Sequence, residues 1–295
     1  MTILPLLIPV VVFILGVVTG GFSNVTSGGA GIFTIYFLTN FQGMAIQEAT
    51  GTVLAASTLI VLIGAISFYR KGQVNSQLAV TVGLSGVVGA FLAARWASSI
   101  QSSTLEEAFG GFTLVLACYT SYRFTSEWRR RKRTGALPEI QTTATAPVTA
   151  SLPSQSGVTT VTASRWAGTD PLALLVQILK GVLIGVATGL FGVGLASLSI
   201  VLFMILFKLD LKVILGTSLF ASFFRYLGGS LGYLTTGQID PLFFAILVVG
   251  GGIGSVAGAR IVLGTGRGSK EIYIKLIVVG MLIFIGYEFL LKHLI

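Results

Sequence analysis

Arg225 is the residue best placed to do chemistry, because it sits in the middle of Phe220-Ala221-Ser222-Phe223-Phe224-Arg225-Tyr226-Leu227, deep in an apolar run. A cation at the centre of a bilayer-spanning helix costs about 2.5–3.5 kcal/mol unless a partner or water meets it. An inward-facing guanidinium suits a negatively charged substrate; a salt bridge to Glu48 or a bond to a carbonyl is the structural alternative. A second set of polar groups lies at helix starts, in Ala49-Thr50-Gly51-Thr52 with Ser57 and in Leu215-Gly216-Thr217-Ser218 with Ser222. Their hydroxyls either cap backbone amides or donate to an oxyanion. Thr52 and Thr217 occupy equivalent places and are the preferred binding candidates, with Ser57, Ser218 and Ser222 beside them.

Two glycine-dense stretches form the third set. Gly16–Gly31 and Gly185–Ser197 share Gly16, Thr19, Gly20 and Phe22 at a fixed offset (185−16 = 169). Unwound backbone of this composition at membrane depth survives only inside protein or along a cavity. Its amide N–H groups then make an anion-binding concavity, to which a following helix adds the positive end of its dipole. Asn24, Ser27, Gly28 and Gly29 in the first stretch, and Thr188, Gly192 and Gly194 in the second, are the expected substrate contacts. Close helix packing through small residues is the rival reading. No Gly-Lys-Ser/Thr follows either stretch, which argues against a nucleotide loop.

Other chemistries lack their residues. Cys118 is the sole cysteine and His293 the sole histidine, so neither a nucleophile–base pair nor a metal cluster is expected, and no enzyme activity or cofactor with them. Lys180 can snorkel to an interface, and Arg95 and Arg260 lie near span ends as anchors. Carboxylates are nearly absent from the apolar interior, whereas cation pumps place them at mid-depth. The balance favours an anion.

The elements that must hold these groups are membrane helices. Of 295 residues, 54% are hydrophobic and 10% charged, 38 are glycine, and mean hydropathy is +0.91, which excludes an ordinary soluble domain. Segments long enough or nearly long enough to span are Ile3–Gly20, Met44–Phe68, Leu78–Ala97, Leu105–Phe124, Leu172–Leu190, Leu195–Phe207, Val213–Thr235, Phe243–Leu263 and Ile272–Leu291, with a short one at Gly29–Leu38. The first lacks the charged start and cleavage site of a signal peptide, so a retained helix is expected.

Gly51-Thr52, Ser57, Gly72-Gln73, Gly86, Gly89 and Arg95 return as Gly216-Thr217, Ser222, Gly237-Gln238, Gly251, Gly254 and Arg260 (216−51 = 165). The fold expected is therefore an all-α polytopic membrane protein of two homologous repeats, residues 1–128 and 170–295, each of four to five hydrophobic segments including a short Gly-rich helical hairpin. Residues 129–169 carry the Arg129–Arg133 basic run and a Ser/Thr/Ala-rich linker, expected in the cytoplasm. Five spans per half put Arg70, Lys71, Lys208, Lys212, Arg267 and Lys270 inside as well, whereas four per half leave the last four outside. The five-span count makes the repeats inverted; re-entrant short segments would change that parity.

As a set these features resemble the TauE/SafE sulfite exporter family: the duplicated Gly-rich openings, the Ala49–Thr52 and Leu215–Ser218 helix starts, the Phe68-Tyr69-Arg70-Lys71-Gly72-Gln73-Val74 loop, and the Gly86–Arg95 helix with its Gly251–Arg260 copy. The resemblance covers nearly the whole chain except the linker. It departs from the family pattern at Ser23-Asn24-Val25, where a further glycine is common, and in the long linker. It implies transport of sulfite, sulfoacetate or other sulfonates, or related sulfur-containing or organic anions, commonly as export. The expected machine is a secondary carrier in the cell membrane whose repeats rock around a midplane site. An anion channel, a carrier of a different organic acid and a non-transporting scaffold are the rivals. The expected partners are the small anion, the lipid bilayer, a coupling ion that is either a proton or sodium, and a second copy in a homodimer. Nucleic acid is not among them.

Overall fold

The computed structural model describes residues 4–26, 30–134, 171–192, 211–264 and 287. The described residues form eight helices and no strand. In chain order these are α1 (Leu4–Thr26), α2 (Gly31–Gln42), α3 (Ile46–Arg70), α4 (Ser76–Ala97), α5 (Ser102–Thr134), α6 (Pro171–Phe191), α7 (Leu211–Leu234) and α8 (Pro241–Gly264). Eight of the ten expected apolar segments coincide with these helices. The other two, Leu195–Phe207 and, save for Tyr287, Ile272–Leu291, fall outside the described residues, as does nearly all of the linker. Of the described helices, α3, α4 and α8 are long and apolar enough to cross a membrane, and Ile8–Asn24 and Gln177–Phe191 are shorter apolar stretches.

Local chemistry sets the ends. Gly43, Gly72 and Gly237 follow α2, α3 and α7 with φ of 67°, 68° and 70°, the left-handed geometry that closes a helix C-terminus most readily at glycine. Asn75 starts α4 by accepting from Leu78 N (3.1 Å), and Asp240 starts α8 by accepting from Leu242 N and Phe243 N at 2.8 and 2.9 Å. Pro171 and Pro241 stand at the first helical position, where no N–H is needed.

Two departures from expectation concern length. Backbone expected to be unwound from Gly16 onward is helical through Thr26, since in an apolar setting the helix satisfies its own N–H and C=O groups. The glycines there serve packing: α1 lies along α8, where a methyl added at Gly16 would sit 3.2 Å from Gly251 N and one at Gly20 would collide with Gly251 itself. The second departure is α5, which continues beyond Phe124 to Thr134, so the Arg129–Arg133 run belongs to a helix.

The packing crosses between the two ends of the chain. α1 lies on α8, α6 lies on α4, and α3 and α7 pack on each other between those pairs. In the α4–α6 pair, a methyl at Gly86 would meet Gly181 O at 2.9 Å and one at Gly89 would meet Val182 O at 2.5 Å. The buried core centres on α3, with Leu54, Val61, Ala65 and Phe68 sealed from outside, and on α7, with Leu219, Tyr226 and Tyr233.

Candidate functional site

Helix α7 carries Ser218, Ser222 and Arg225 at positions i, i+4 and i+7, a spacing that sets them on one stripe. All three are fully buried. Arg225 donates from Nη2 to Ser222 Oγ at 2.7 Å. Arg225 Nε and Nη1 and Ser218 Oγ have no hydrogen-bond partner among the described residues. Glu48 lies half-buried in the first turn of α3 and forms no pair with Arg225, so that alternative does not occur among the described residues. A buried donor left unmatched costs about 1–3 kcal/mol, and more when charged. The stripe thus presents a cation and a hydroxyl whose hydrogen-bonding capacity the described protein leaves unused.

The arginine fits there because α4 is bare opposite it. A methyl built on Gly86 would lie 2.6 Å from Arg225 Cγ and 2.9 Å from Cδ.

Thr52 and Thr217 do not join this stripe as direct neighbours of the guanidinium. Thr52 Oγ1 accepts from Asp240 N at 2.9 Å, and Thr217 Oγ1 accepts from Asn75 N at 2.9 Å. Each hydroxyl therefore ties the start of α3 or α7 to the start of a helix from the opposite end of the chain. Each also retains its own proton for donation. Neighbouring contacts follow the same rule: a side chain at Gly51 would strike Gln238 O, and one at Gly216 would strike Gln73 O.

The glycine-rich ends converge on α3. A methyl built on Gly31 would lie 3.0 Å from Val53 Cγ1, 3.7 Å from Gly192 O and 3.8 Å from Ser57 Oγ. Gly192, just beyond α6, has φ of 63° and abuts Thr50, whose buried Oγ1 has no partner among the described residues. Thr188 spends its hydroxyl on Ile184 O at 2.7 Å. Asn24 donates from Nδ2 to Ser255 O at 2.9 Å, and Ser255 Oγ in turn donates to Ile60 O at 2.9 Å, so α1, α8 and α3 share one buried polar link. Ser27, Gly28, Gly29 and Gly194 lie outside the described residues.

Ser255 and Thr34 escaped the sequence reading. A lone hydroxyl within Gly250-Gly251-Gly252-Ile253-Gly254-Ser255 was the available signal for the first, since small residues at that density mark close helix approach. Thr34 gave none, because one threonine in an apolar turn is unremarkable until its neighbours are known.

Comparison with known proteins places this geometry in context. The family model described as "Sulfite exporter TauE/SafE" matches residues 12–289. "Probable membrane transporter protein YdhB" of Bacillus subtilis (strain 168) is 29% identical over 255 residues, covering 86% of this chain and 89% of that protein. "Probable membrane transporter protein YunE" of the same organism is 24% identical over 259 residues, covering 85% and 88%. No solved structure matches. With the family model spanning nearly all of a chain built from apolar helices, this protein is a multi-pass membrane protein that belongs to the TauE/SafE sulfite exporter family.

Proposed function

We propose that the protein is a secondary transporter of small anions, with sulfite, sulfonates and related sulfur-containing or organic anions as the substrate class. One observation carries this reading: a fully buried arginine with two guanidinium nitrogens unpartnered among the described residues shares a helix stripe with a serine hydroxyl likewise unpartnered there. Such donors recognise negative charge, and in a low-dielectric interior they do so strongly. Arg225 supplies the charge, and Ser218 and Ser222 orient an oxyanion. Family membership supports the transport assignment.

The mechanism we propose is alternating access between two interleaved, inverted repeats, residues 1–128 and 170–295, around the 129–169 linker. Its support is a pair of reciprocal contacts, Thr52 with Asp240 and Thr217 with Asn75, whose members map onto one another at the 165-residue offset (217−52 = 165 and 240−75 = 165). A two-fold relation produces pairing of this kind, in which i meets j′ and j meets i′. Each hydroxyl-to-amide bond would act as a clasp, one opening toward each side of the membrane as the repeats rock.

The decisive measurement is anion uptake into vesicles reconstituted with purified protein. Saturable uptake of sulfite or a sulfonate that is abolished by Arg225→Ala is expected. Unsaturable current would identify a channel, and no Arg225-dependent flux with any sulfur oxyanion, sulfonate or organic acid would reject the reading.

A further inference from the structure

A cavity of about 20 Å³ lies among α1, α2, α3 and α8, at mid-length of α3; Thr19, Ser23, Thr34 and Ser57 bring hydroxyls to its wall, and apolar side chains of α3 and α8 make up most of the rest. That is room for one water-sized species. A sulfonate or sulfite cannot enter, so this is not the anion site.

The hydroxyls decide what charge it suits. Thr19 Oγ1 donates to Leu15 O at 2.7 Å and to Gly16 O at 3.2 Å, and Ser23 Oγ donates to Gly20 O at 2.7 Å. With their protons committed to their own helix, both oxygens have only lone pairs left to offer.

The cation cannot be a proton, because no lining residue titrates. Divalent ions are poorly served, since calcium and magnesium rely on carboxylate ligands. Potassium calls for a wider cage of carbonyls. A neutral space of one-atom size with four hydroxyl-bearing residues on its wall fits a small monovalent metal ion better than these larger or more highly charged ones. Positionally, Ser57 and Ile60 stand 165 residues before Ser222 and Arg225, so the charge that a side chain fixes at one place is missing from its counterpart beside the cavity.

We propose that this cavity binds sodium and is the coupling-ion site of the carrier. The coupling role rests on the transporter reading; the binding does not. The test is thermal unfolding of the purified full chain in detergent with NaCl, KCl, choline chloride and sodium gluconate at equal ionic strength. A saturable rise in Tm with both sodium salts and with neither other salt is expected, with apparent affinity at least tenfold weaker in Ser57→Ala and Thr34→Val. A rise with every chloride salt would place an anion there and overturn the proposal, as would a response to no salt, which leaves water only. Should the variants fail to fold, binding of radioactive sodium to the wild-type protein, displaced by lithium and not by potassium, decides the matter, and its absence is equally fatal. Sulfite titration at fixed sodium, with and without Arg225→Ala, reads the anion site separately, so either reading can fail while the other stands.

Discussion

The stem of Arg225 occupies the space that a side chain at Gly86 would require, with Cγ 2.6 Å and Cδ 2.9 Å from the position of an added methyl. The glycine on α4 and the arginine on α7 are therefore a matched pair. Gly86→Val should push the guanidinium off its stripe and meet Gly181 O, 2.9 Å from the same methyl position. Overpacking of this kind costs about 1–3 kcal/mol. The expected result is a lower Tm together with loss of anion-dependent stabilisation; full retention of anion response would mean that the guanidinium does not need this niche.

Removing the charge should separate binding from stability. Arg225→Met keeps the aliphatic volume and deletes a buried cation whose burial costs about 2.5–3.5 kcal/mol at mid-membrane. Anion flux should vanish while the Tm without anion stays level or rises. A marked drop in that Tm would mean that the arginine is a structural strut.

The two threonine clasps should fail on opposite faces. Thr52→Val strips the acceptor from Asp240 N and Thr217→Val strips it from Asn75 N, each leaving a backbone donor unmatched at a cost of about 1–3 kcal/mol. Single cysteines at Gln238 and Gln73, in a Cys118→Ser background, report access to a membrane-impermeant thiol reagent. Thr52→Val should speed labelling at 238 from one side, and Thr217→Val at 73 from the other. Identical sidedness would contradict the two-clasp mechanism.

The Asn24–Ser255 link should matter for assembly and not for anion recognition. Asn24→Leu removes a 2.9 Å bond to Ser255 O within a buried network, for a loss of about 1–3 kcal/mol. Gly64→Ala attacks the same place, because its methyl would lie 2.5 Å from Asn24 Oδ1 and 3.0 Å from Ser255 Oγ. Both variants should melt earlier with the anion affinity of the remaining folded protein unchanged, as read by ligand titration below the melting range.

Residue order alone determined the helices. Apolar runs of spanning length, prolines at first turns, and Gly72 and Gly237 at helix ends act through local backbone chemistry, so α3, α4, α7 and α8 fell within a few residues of their expected bounds. The singular placement of Arg225 was legible for the same reason, since a charge in an apolar run is costly wherever the run packs. Tertiary structure alone decided what the glycines and hydroxyls do. Gly16 and Gly20 serve packing, because α8 approaches closely enough to use their missing side chains. Thr52 and Thr217 are binding candidates by sequence, and only the fold shows that each also accepts from a backbone amide 188 or 142 residues away. A hydroxyl's partner depends on which helix arrives beside it, and that is fixed by the crossing of the chain's two ends and not by its neighbours in sequence.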